Sequence, residues 1–305
     1  MKKILIIIPD KVPQKLIMRG FCRGFKANGY YVLTSFEKEI AYEYINSVKP
    51  DLIMSYGDFS SISDILKKYL KQNKNVKNLV YFADTKGCDT KFPRHSLIFA
   101  SDRYINKKFH YLPLAISSRT YGREFEGYKY TISFVGNPNF LKRVHILANI
   151  VKVFGNGLSV FCTKKQFNAS IKKIEPFLTK DELVAYKYSY CKFLEDEREI
   201  SKVLNSSKIN LNIITKFDMS LNFHAFETLA AGGFLLTNNA WAANELFDLA
   251  RDLETFENVT DLIDKIKFYL HNIDTAQIIA QNGKAAIRQG HTFKDRVKII
   301  LEYVK

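Results

Sequence analysis

The first hundred residues alternate short apolar runs with longer amphipathic stretches. The apolar runs are rich in isoleucine, valine, leucine or aromatic residues and are too short for helices. They lie at Lys3–Ile8, Tyr31–Thr34, Asp51–Met54, Leu79–Phe82 and Leu97–Ala100. Stretches with helical spacing lie between them, at Arg19–Ala27, Glu37–Val48 and Ser61–Gln72. The alternation predicts strands and helices in turn, joined by right-handed crossovers into a parallel sheet.

A polar, glycine-containing stretch around Ser118–Tyr130 interrupts this pattern, and a second alternating series follows. Its predicted strands are Thr131–Val135, Leu158–Phe161, Ile209–Ile213 and Phe234–Thr237. Its predicted helices are Leu141–Val153, Glu197–Asn205, Phe223–Ala231, Thr260–His271, Thr275–Arg288 and Phe293–Val304. The chain is therefore expected to be an α/β protein with two Rossmann-like parallel sheets. Ligands of such sheets bind beyond the carboxyl ends of the strands.

The length of 305 residues fits two domains of about 150 residues each. We place the first domain at residues 1–125 and the second at 126–290. The remaining segment, 291–305, carries the last predicted helix.

The sequence favours a cytoplasmic chain. No segment reaches the ~18–20 apolar residues of a membrane span. The apolar run Ile4–Ile8 is followed at once by Pro9 and Asp10, so it is interpreted as a buried strand and not as a secretion signal. The four cysteines are scattered without a Cys-x-x-Cys pair, so neither a zinc site nor a redox motif is expected.

The net charge of +15 is concentrated in the first half of the chain. Residues 1–125 contain 22 Lys+Arg and 11 Asp+Glu, a net of +11. A basic surface attracts nucleic acid, anionic lipid headgroups or phosphorylated substrates. A lysine-rich host composition explains the same excess equally well, so the charge alone names no partner.

The segment 209–237, INLNIITKFDMSLNFHAFETLAAGGFLLT, has the richest combination of polar groups. A strand leads into a polar loop, a short helix carries Glu227 near its start, and Gly232-Gly233 opens the next strand. The carboxylate of Glu227 could accept hydrogen bonds from a ribose diol, and the helix start could receive a diphosphate. On the pattern alone, a plain helix start and a plain helix stop explain these residues as well.

This segment resembles the C-terminal domain of GT-B glycosyltransferases, and more closely the CgeB-like group, named for a spore-maturation protein. The matching residues are Ser220, Leu221, Asn222, Phe226, Glu227, Leu229, Ala230, Gly232, Gly233, Phe234, Leu235, Leu236 and Thr237. Further blocks resemble the same group at Tyr111–Ala115, Ile132–Gly136, Ser207–Asn212, Asn282-Gly283, His291–Phe293 and Arg296. The likeness covers roughly residues 105–305.

The resemblance implies a nucleotide-sugar transferase whose two sheets face a central cleft and whose last helix crosses back to the first domain. Glu227 would bind the ribose, Gly136 and Asn137 would approach the phosphates, and Arg143 would neutralise them. An exposed helix charge is the competing interpretation of Arg143. The site would be completed by Ser220, Asn222, His224, Gly232 and Gly233. The co-substrate would be a UDP- or GDP-linked sugar, with no further cofactor and no metal.

Two positions depart from the pattern of the relatives. His224 stands where the CgeB-like group has arginine, and it is shorter and only partly charged. Met219 stands where many retaining transferases have a second glutamate. The choice between retention and inversion of the sugar's configuration is therefore left open.

A general base must reach the acceptor hydroxyl. Asp84 ends the strand-like run Tyr81–Ala83 and is the first candidate. His110 and Asp58 compete with it. Turn capping is the alternative role for each aspartate.

Missing motifs narrow the chemistry. The sequence has no P-loop, no complete dinucleotide fingerprint and no Asp-x-Asp motif. We therefore expect a metal-independent GT-B enzyme that glycosylates a cell-envelope glycan, a lipid or a protein, with an anionic acceptor or peripheral contact with the inner membrane as open options. A DNA-base glycosyltransferase and a catalytically inactive sugar- or nucleotide-binding scaffold are the alternatives. No recognition helix of arginine, lysine and aromatic residues supports DNA as a partner.

Overall fold

The computed structural model describes residues 1–11, 14–57, 63–83, 92–93, 95–117, 121, 125–215 and 220–304. The chain divides into two compact units. The first unit comprises Met1–Ser117 together with Gly290–Lys305, and the second comprises Ser118–Gln289.

The first unit is built on a parallel sheet of six strands. The strands are β1 (Lys3–Ile8), β2 (Tyr31–Phe36), β3 (Leu52–Tyr56), β4 (Lys77–Phe82), β5 (Leu97–Ala100) and β6 (His110–Tyr111). Their order is β2-β1-β3-β4-β5-β6, and every neighbouring pair is parallel. β1, β3 and β4 are almost wholly buried, as expected for strands covered on both faces.

Four helices belong to this unit: α1 (Gln14–Ala27), α2 (Tyr42–Val48), α3 (Ser63–Gln72) and, from the end of the chain, α12 (Phe293–Val304). α1 and α12 pack closely because Gly20 and Gly24 leave room for Phe293. A Cβ atom at Gly20 would lie 2.0 Å from the ring of Phe293, and one at Gly24 would lie 2.5 Å from its carbonyl oxygen. The two glycines therefore set how closely α12 approaches α1.

The second unit repeats the design with a second parallel sheet of six strands. The strands are β7 (Tyr130–Val135), β8 (Leu158–Phe161), β9 (Tyr190–Cys191), β10 (Ser207–Asn212), β11 (Leu235–Asn238) and β12 (Glu254–Phe256). Their order is β12-β11-β10-β7-β8-β9, again parallel throughout. The predicted α/β class with two parallel sheets is confirmed.

Helices surround the second sheet. They are α4 (Leu141–Phe154), α5 (Lys164–Ile174), α6 (Lys180–Tyr188), α7 (Glu197–Asn205), α8 (Phe223–Ala231), α9 (Trp241–Leu246), α10 (Val259–His271) and α11 (Ile273–Gly290). Side chains cap several of them: Thr163 and Thr179 form capping boxes for α5 and α6, and Asn222 caps α8. Within the described residues, no helix combines the length and the hydropathy that a membrane span requires.

Candidate functional site

The carboxyl ends of β7 and β10 lie side by side in the second unit. Parallel pairing sets Leu211 opposite Phe134, so the residues that follow the two strands emerge next to each other. Gly136 follows β7 with φ +147°, a backbone conformation that favours glycine, and its N–H donates to Phe161 O at 3.0 Å. The sheet edge expected to receive a ligand is therefore formed by the loop after β7 and the loop after β10.

Arg143 ties these two loops together. Its Nε and Nη2 donate to Ile213 O at 3.1 and 2.9 Å, and its Nη1 donates to Asn137 O at 2.8 Å. The guanidinium also lies against the rings of Phe134 and Phe140, at 5.4 and 5.3 Å from the ring centroids. Burial lowers the pKa of this guanidinium to about 10. Arg143 is thus a half-buried bridge, and the competing interpretation of an exposed helix charge is wrong.

The start of α4 is electropositive beside this bridge. Its N-cap residue, Phe140, makes no side-chain capping bond, and the first turn contains no acidic residue. It contains Lys142 and Arg143, whose charges the positive end of the helix dipole disfavours. Of the carboxylates that the structure describes, none lies within ion-pair distance of Arg143. This combination favours a bound anion at the loop that follows β7.

A chain of amides joins the end of β10 to the start of α8. Asn212 at the end of β10 donates to Thr237 Oγ1 at 3.1 Å and accepts from Asn222 Nδ2 at 3.0 Å. Asn222 also accepts from Ala225 N at 3.1 Å and so begins α8. Asn238 at the end of β11 accepts from the N–H of Ile214 at 2.6 Å. Ser220 lies half-buried just before this cap.

Glu227 is the fifth residue of α8 and is 6% exposed. The predicted helix has the bounds of α8, but its first turn contains no acidic residue, so Glu227 lies beyond the first turn and not near the helix start. Its Oε1 accepts a hydrogen bond from the Tyr121 hydroxyl at 2.8 Å. Its Oε2 lies 3.4 Å from Nδ1 of His224. The carboxylate is therefore oriented by two side chains before any ligand binds.

Gly232 and Gly233 lie at the other end of α8, where β11 begins. Gly232 is the left-handed C-cap residue with φ +77°, and its N–H donates to Leu229 O. A Cβ atom at Gly233 would lie 2.5 Å from Leu204 O and 2.6 Å from Asn210 Nδ2. A nine-residue helix is roughly 13 Å long, so these glycines lie far from the cap at Asn222. They end the helix and allow tight packing, and we leave them out of the candidate site.

Of the three candidate bases in the first unit, the structure describes only His110. His110 lies on β6, with its ring 4.4 Å from that of Tyr303 and 5.5 Å from that of Phe99. It therefore packs between the sheet and α12. Asp84 and Asp58 lie outside the described residues, as do Asp218 and Met219 of the second unit.

The structure adds site residues that sequence reasoning missed. Asn212 and Asn238 are buried polar residues at the carboxyl ends of β10 and β11, a position that the sequence does indicate. Tyr121 gives no such signal, because it lies in a polar stretch 106 positions before its partner Glu227.

A separate pocket of about 610 Å³ opens at the carboxyl ends of β11 and β12. Its lining residues are Lys142, His145, Ile146, Asn238, Asn239, Phe256, Glu257, Asn258 and Val259. Glu227, His224 and Tyr121 are not among them, so the pocket adjoins the candidate site through Lys142 and Asn238 and does not coincide with it.

The structure offers no other reactive cluster in the part of the chain that it describes. Groups of three or more metal-ligating side chains are absent among these residues. Burial raises the thiol pKa of Cys22 to about 11 and that of Cys162 to about 12, so both thiols stay protonated near neutral pH.

A sequence model of the glycosyl transferase-like family matches residues 150–302, about half of the chain. The chain belongs to this family. The match spans β10, α8 and β11, and therefore includes Glu227 and His224 but not Tyr121. No curated protein sequence matches the chain.

Solved structures show the same architecture over nearly the whole length. A glycosyltransferase from Rickettsia africae superposes with a TM-score of 0.71 at 11% identity, over 99% of this chain and 97% of that chain. HepE of Anabaena, solved with UDP and glucose, superposes with a TM-score of 0.69 at 10% identity, over 100% of this chain and 99% of HepE. Sucrose-phosphate synthase from Thermosynechococcus elongatus superposes with a TM-score of 0.68 at 10% identity, over 99% of this chain and 98% of the synthase. The predicted GT-B fold is confirmed.

Proposed function

We propose that this glycosyl transferase-like protein transfers a sugar from a UDP- or GDP-linked donor, and that the nucleotide binds at the carboxyl ends of β7 and β10. The observation that carries the proposal is Glu227, a buried carboxylate that lies inside the region matched by the family model and is oriented by Tyr121 and His224. HepE, which has the same fold, has been solved with UDP and with UDP-glucose.

The carboxylate of Glu227 suits a ribose diol. A carboxylate offers about four acceptor positions, two on each oxygen. Tyr121 occupies one on Oε1, and His224 lies close to one on Oε2. Among the described residues no other side chain bonds to this carboxylate, which leaves two acceptor positions, equal to the number of hydroxyl groups in a 2′,3′-diol.

The start of α4 suits the diphosphate. Its first-turn N–H groups have no side-chain cap, and Arg143 adds a positive charge that is not neutralised by any described carboxylate. Gly136 and Asn137 lie in the loop that leads to this turn. Because each of the three nitrogens of Arg143 already donates to a carbonyl oxygen, we assign it an electrostatic and positioning role and not direct contact with phosphate.

A calorimetric titration with UDP and with GDP tests the nucleotide site. Glu227→Gln should weaken the tighter nucleotide by about 1.5–3 kcal/mol, the usual worth of hydrogen bonds to a charged group. Glu254→Gln is the matched control, since Glu254 is also a buried glutamate that accepts from a tyrosine hydroxyl, at 2.7 Å. Unchanged affinity in a folded Glu227→Gln variant, or no binding of either nucleotide to the wild type, would overturn the proposal.

For the chemical step we propose a general base in the first unit and no divalent metal. Asp84 keeps first place, because His110 packs between Phe99 and Tyr303. The absence of an Asp-x-Asp motif supports metal-free departure of the nucleotide, assisted by the start of α4 and Arg143. Donor hydrolysis measured with and without a chelator, and in Asp84→Asn, tests both points. Loss of turnover with the chelator and its recovery with Mg²⁺ would refute the metal-free reaction, and normal turnover of Asp84→Asn would refute Asp84 as the general base.

For the acceptor we propose an anionic molecule or one displayed on an anionic surface, in keeping with a cell-envelope glycan or lipid. The support is the +11 net charge of residues 1–125. Arg19, Arg23 and Lys26 form part of it on the exposed face of α1, a helix with no acidic residue in its first turn. Binding to DNA with a steep salt dependence would instead favour the DNA-base alternative.

A further inference from the structure

The carboxylate of Glu227 is held by a hydroxyl group from a distant part of the chain. Tyr121 donates to Oε1 at 2.8 Å, and the tyrosine side chain is completely buried. The backbone carbonyl of Tyr121 accepts from Ser201 Oγ at 3.5 Å, which links this tyrosine to α7. This contact is long, and the complete burial of the side chain is the stronger reason why Tyr121 keeps its position.

The second oxygen of the carboxylate faces a residue of its own helix. His224 lies one turn before Glu227, with Nδ1 at 3.4 Å from Oε2. A carboxylate can only accept, so this contact requires the proton on Nδ1. At 3.4 Å the contact is longer than a good hydrogen bond, and Tyr121 is the stronger of the two restraints.

We propose that Tyr121 is a positioning residue that sets the plane of the Glu227 carboxylate, so that its two open acceptor positions receive the 2′- and 3′-hydroxyls of a ribose. The inference rests on the proposed function. It adds Tyr121 to the site and a preference for ribonucleotides over 2′-deoxyribonucleotides. A fixed carboxylate cannot turn to compensate for a missing hydroxyl. A 2′-deoxyribonucleotide then leaves one buried acceptor position unpaired, and such loss is costly.

The opposite role for this tyrosine is competition, in which its hydroxyl occupies Glu227 until the ribose displaces it. Complete burial and the link to α7 favour positioning, because displacement would have to move a packed ring. The two roles predict opposite changes in nucleotide affinity when the hydroxyl group is removed. Removing the hydroxyl weakens nucleotide binding if it positions and strengthens binding if it competes.

The second unit contains a matched pair for the control. Tyr269 donates to Glu254 Oε2 at 2.7 Å, and Glu254 is 8% exposed. Lys265 also bonds to Glu254, at 3.2 Å. Glu254 lies on the edge strand β12, which is separated from β10 by β11, and it makes none of the contacts described for the candidate site.

The experiment titrates wild type, Tyr121→Phe and Tyr269→Phe with UDP and 2′-deoxy-UDP, and with GDP and 2′-deoxy-GDP. The wild type should prefer the ribonucleotide. Tyr121→Phe should weaken ribonucleotide binding roughly two- to tenfold, the worth of one neutral hydrogen bond, and should reduce the preference over the deoxy form. Tyr269→Phe should leave both the affinity and the preference unchanged, although it too loses a buried hydrogen bond.

Including Glu227→Gln separates failure of this inference from failure of the proposed function. If no nucleotide binds, or if Glu227→Gln binds as wild type does, the nucleotide site itself is wrong. If Glu227→Gln loses affinity while Tyr121→Phe keeps the wild-type affinity and preference, or binds more tightly, only the role of Tyr121 is overturned. Equal affinity of the wild type for the ribo and deoxy forms overturns it as well, even if Tyr121→Phe does not fold.

Discussion

Each unit contains an arginine whose guanidinium donates to backbone carbonyl oxygens and not to carboxylates. Arg143 joins Ile213 and Asn137 in the second unit. Arg296 of α12 joins Pro113, Leu114 and Gly290 in the first unit, and also donates to Nδ1 of His291. Burial lowers the pKa of both groups, yet neither loses its charge near neutral pH. The planar guanidinium group has five N–H donors, so it can bond to carbonyl oxygens of two or three chain segments at once, which the single ammonium group of lysine does less well.

The bridge made by Arg143 leads to a prediction at the scale of one residue. Arg143→Met should lower the free energy of unfolding by about 1–3 kcal/mol, because the carbonyl groups of Ile213 and Asn137 lose their donor. It should also weaken nucleotide binding, whereas Arg143→Lys should restore part of the binding but little of the stability, since lysine keeps the charge and lacks the fork. Urea unfolding and calorimetry measure the two effects.

Arg198 is the control for this prediction. Its side chain is exposed on α7, so Arg198→Met should change stability by less than about 0.5 kcal/mol. If Arg143→Met were as stable as Arg198→Met, the bridge would not stabilise the two loops.

At the scale of the element, the length and polarity of a segment determine whether the sequence predicts the strand or helix that the structure has. The apolar runs at β1, β5 and β8 are predicted with the bounds that the structure has, because buried parallel strands need continuous apolar residues. β6 and β9 have two residues each, and β12 contains Glu254, so none shows an apolar run. α5 and α6 are missed although their capping-box residues, Thr163-x-x-Gln and Thr179-x-x-Glu, are present in the sequence.

The same scale explains which part of the site could be predicted. Asn222, His224 and Glu227 lie on one short helix and its cap, so local pattern and family resemblance are enough to find them together. Tyr121 and Arg143 reach the site through contacts across 106 and 70 positions, which no local pattern encodes. Gly232 and Gly233 are close in sequence to Glu227, but the length of α8 carries them to the other end of the sheet.

Gly233→Ala tests that last assignment. The added methyl group would lie 2.5 Å from Leu204 O, which is backbone, so we expect a loss of about 1–3 kcal/mol in the free energy of unfolding. The affinity of the folded variant for UDP or GDP should be unchanged. Gly157→Ala is the control, because its nearest neighbour would be at an ordinary 3.6 Å. A stable Gly233→Ala protein with weakened nucleotide binding would return this glycine to the phosphate site.

At the scale of the whole molecule, the two ends of the chain belong to the same unit. β1 begins this unit, and α12 completes it by packing Phe293 against Gly20 and Phe21. The unit also carries most of the charge excess. The nucleotide site that we propose lies in the other unit, Ser118–Gln289, which is nearer to neutral, with 22 Lys+Arg and 19 Asp+Glu.

The charge asymmetry predicts that the protein binds anionic vesicles through α1. Replacing Arg19, Arg23 and Lys26 by glutamine should weaken binding to vesicles of phosphatidylglycerol and phosphatidylcholine, because each basic residue near such a surface contributes about 1 kcal/mol. The total of about 3 kcal/mol corresponds to roughly a hundredfold in affinity at low salt, and the difference should shrink as salt screens the charges. Co-sedimentation at several salt concentrations measures it.

The control removes the same number of charges from the second unit, by replacing Lys164, Lys165 and Lys172 on the exposed face of α5 with glutamine. This variant should keep most of the vesicle binding, because its net charge equals that of the α1 variant and only the position of the charges differs. Equal loss in both variants would mean that net charge, and not the face of α1, determines binding. If neither the wild type nor the variants bound vesicles at low salt, a lysine-rich composition would explain the excess charge, and a neutral acceptor would become the better proposal.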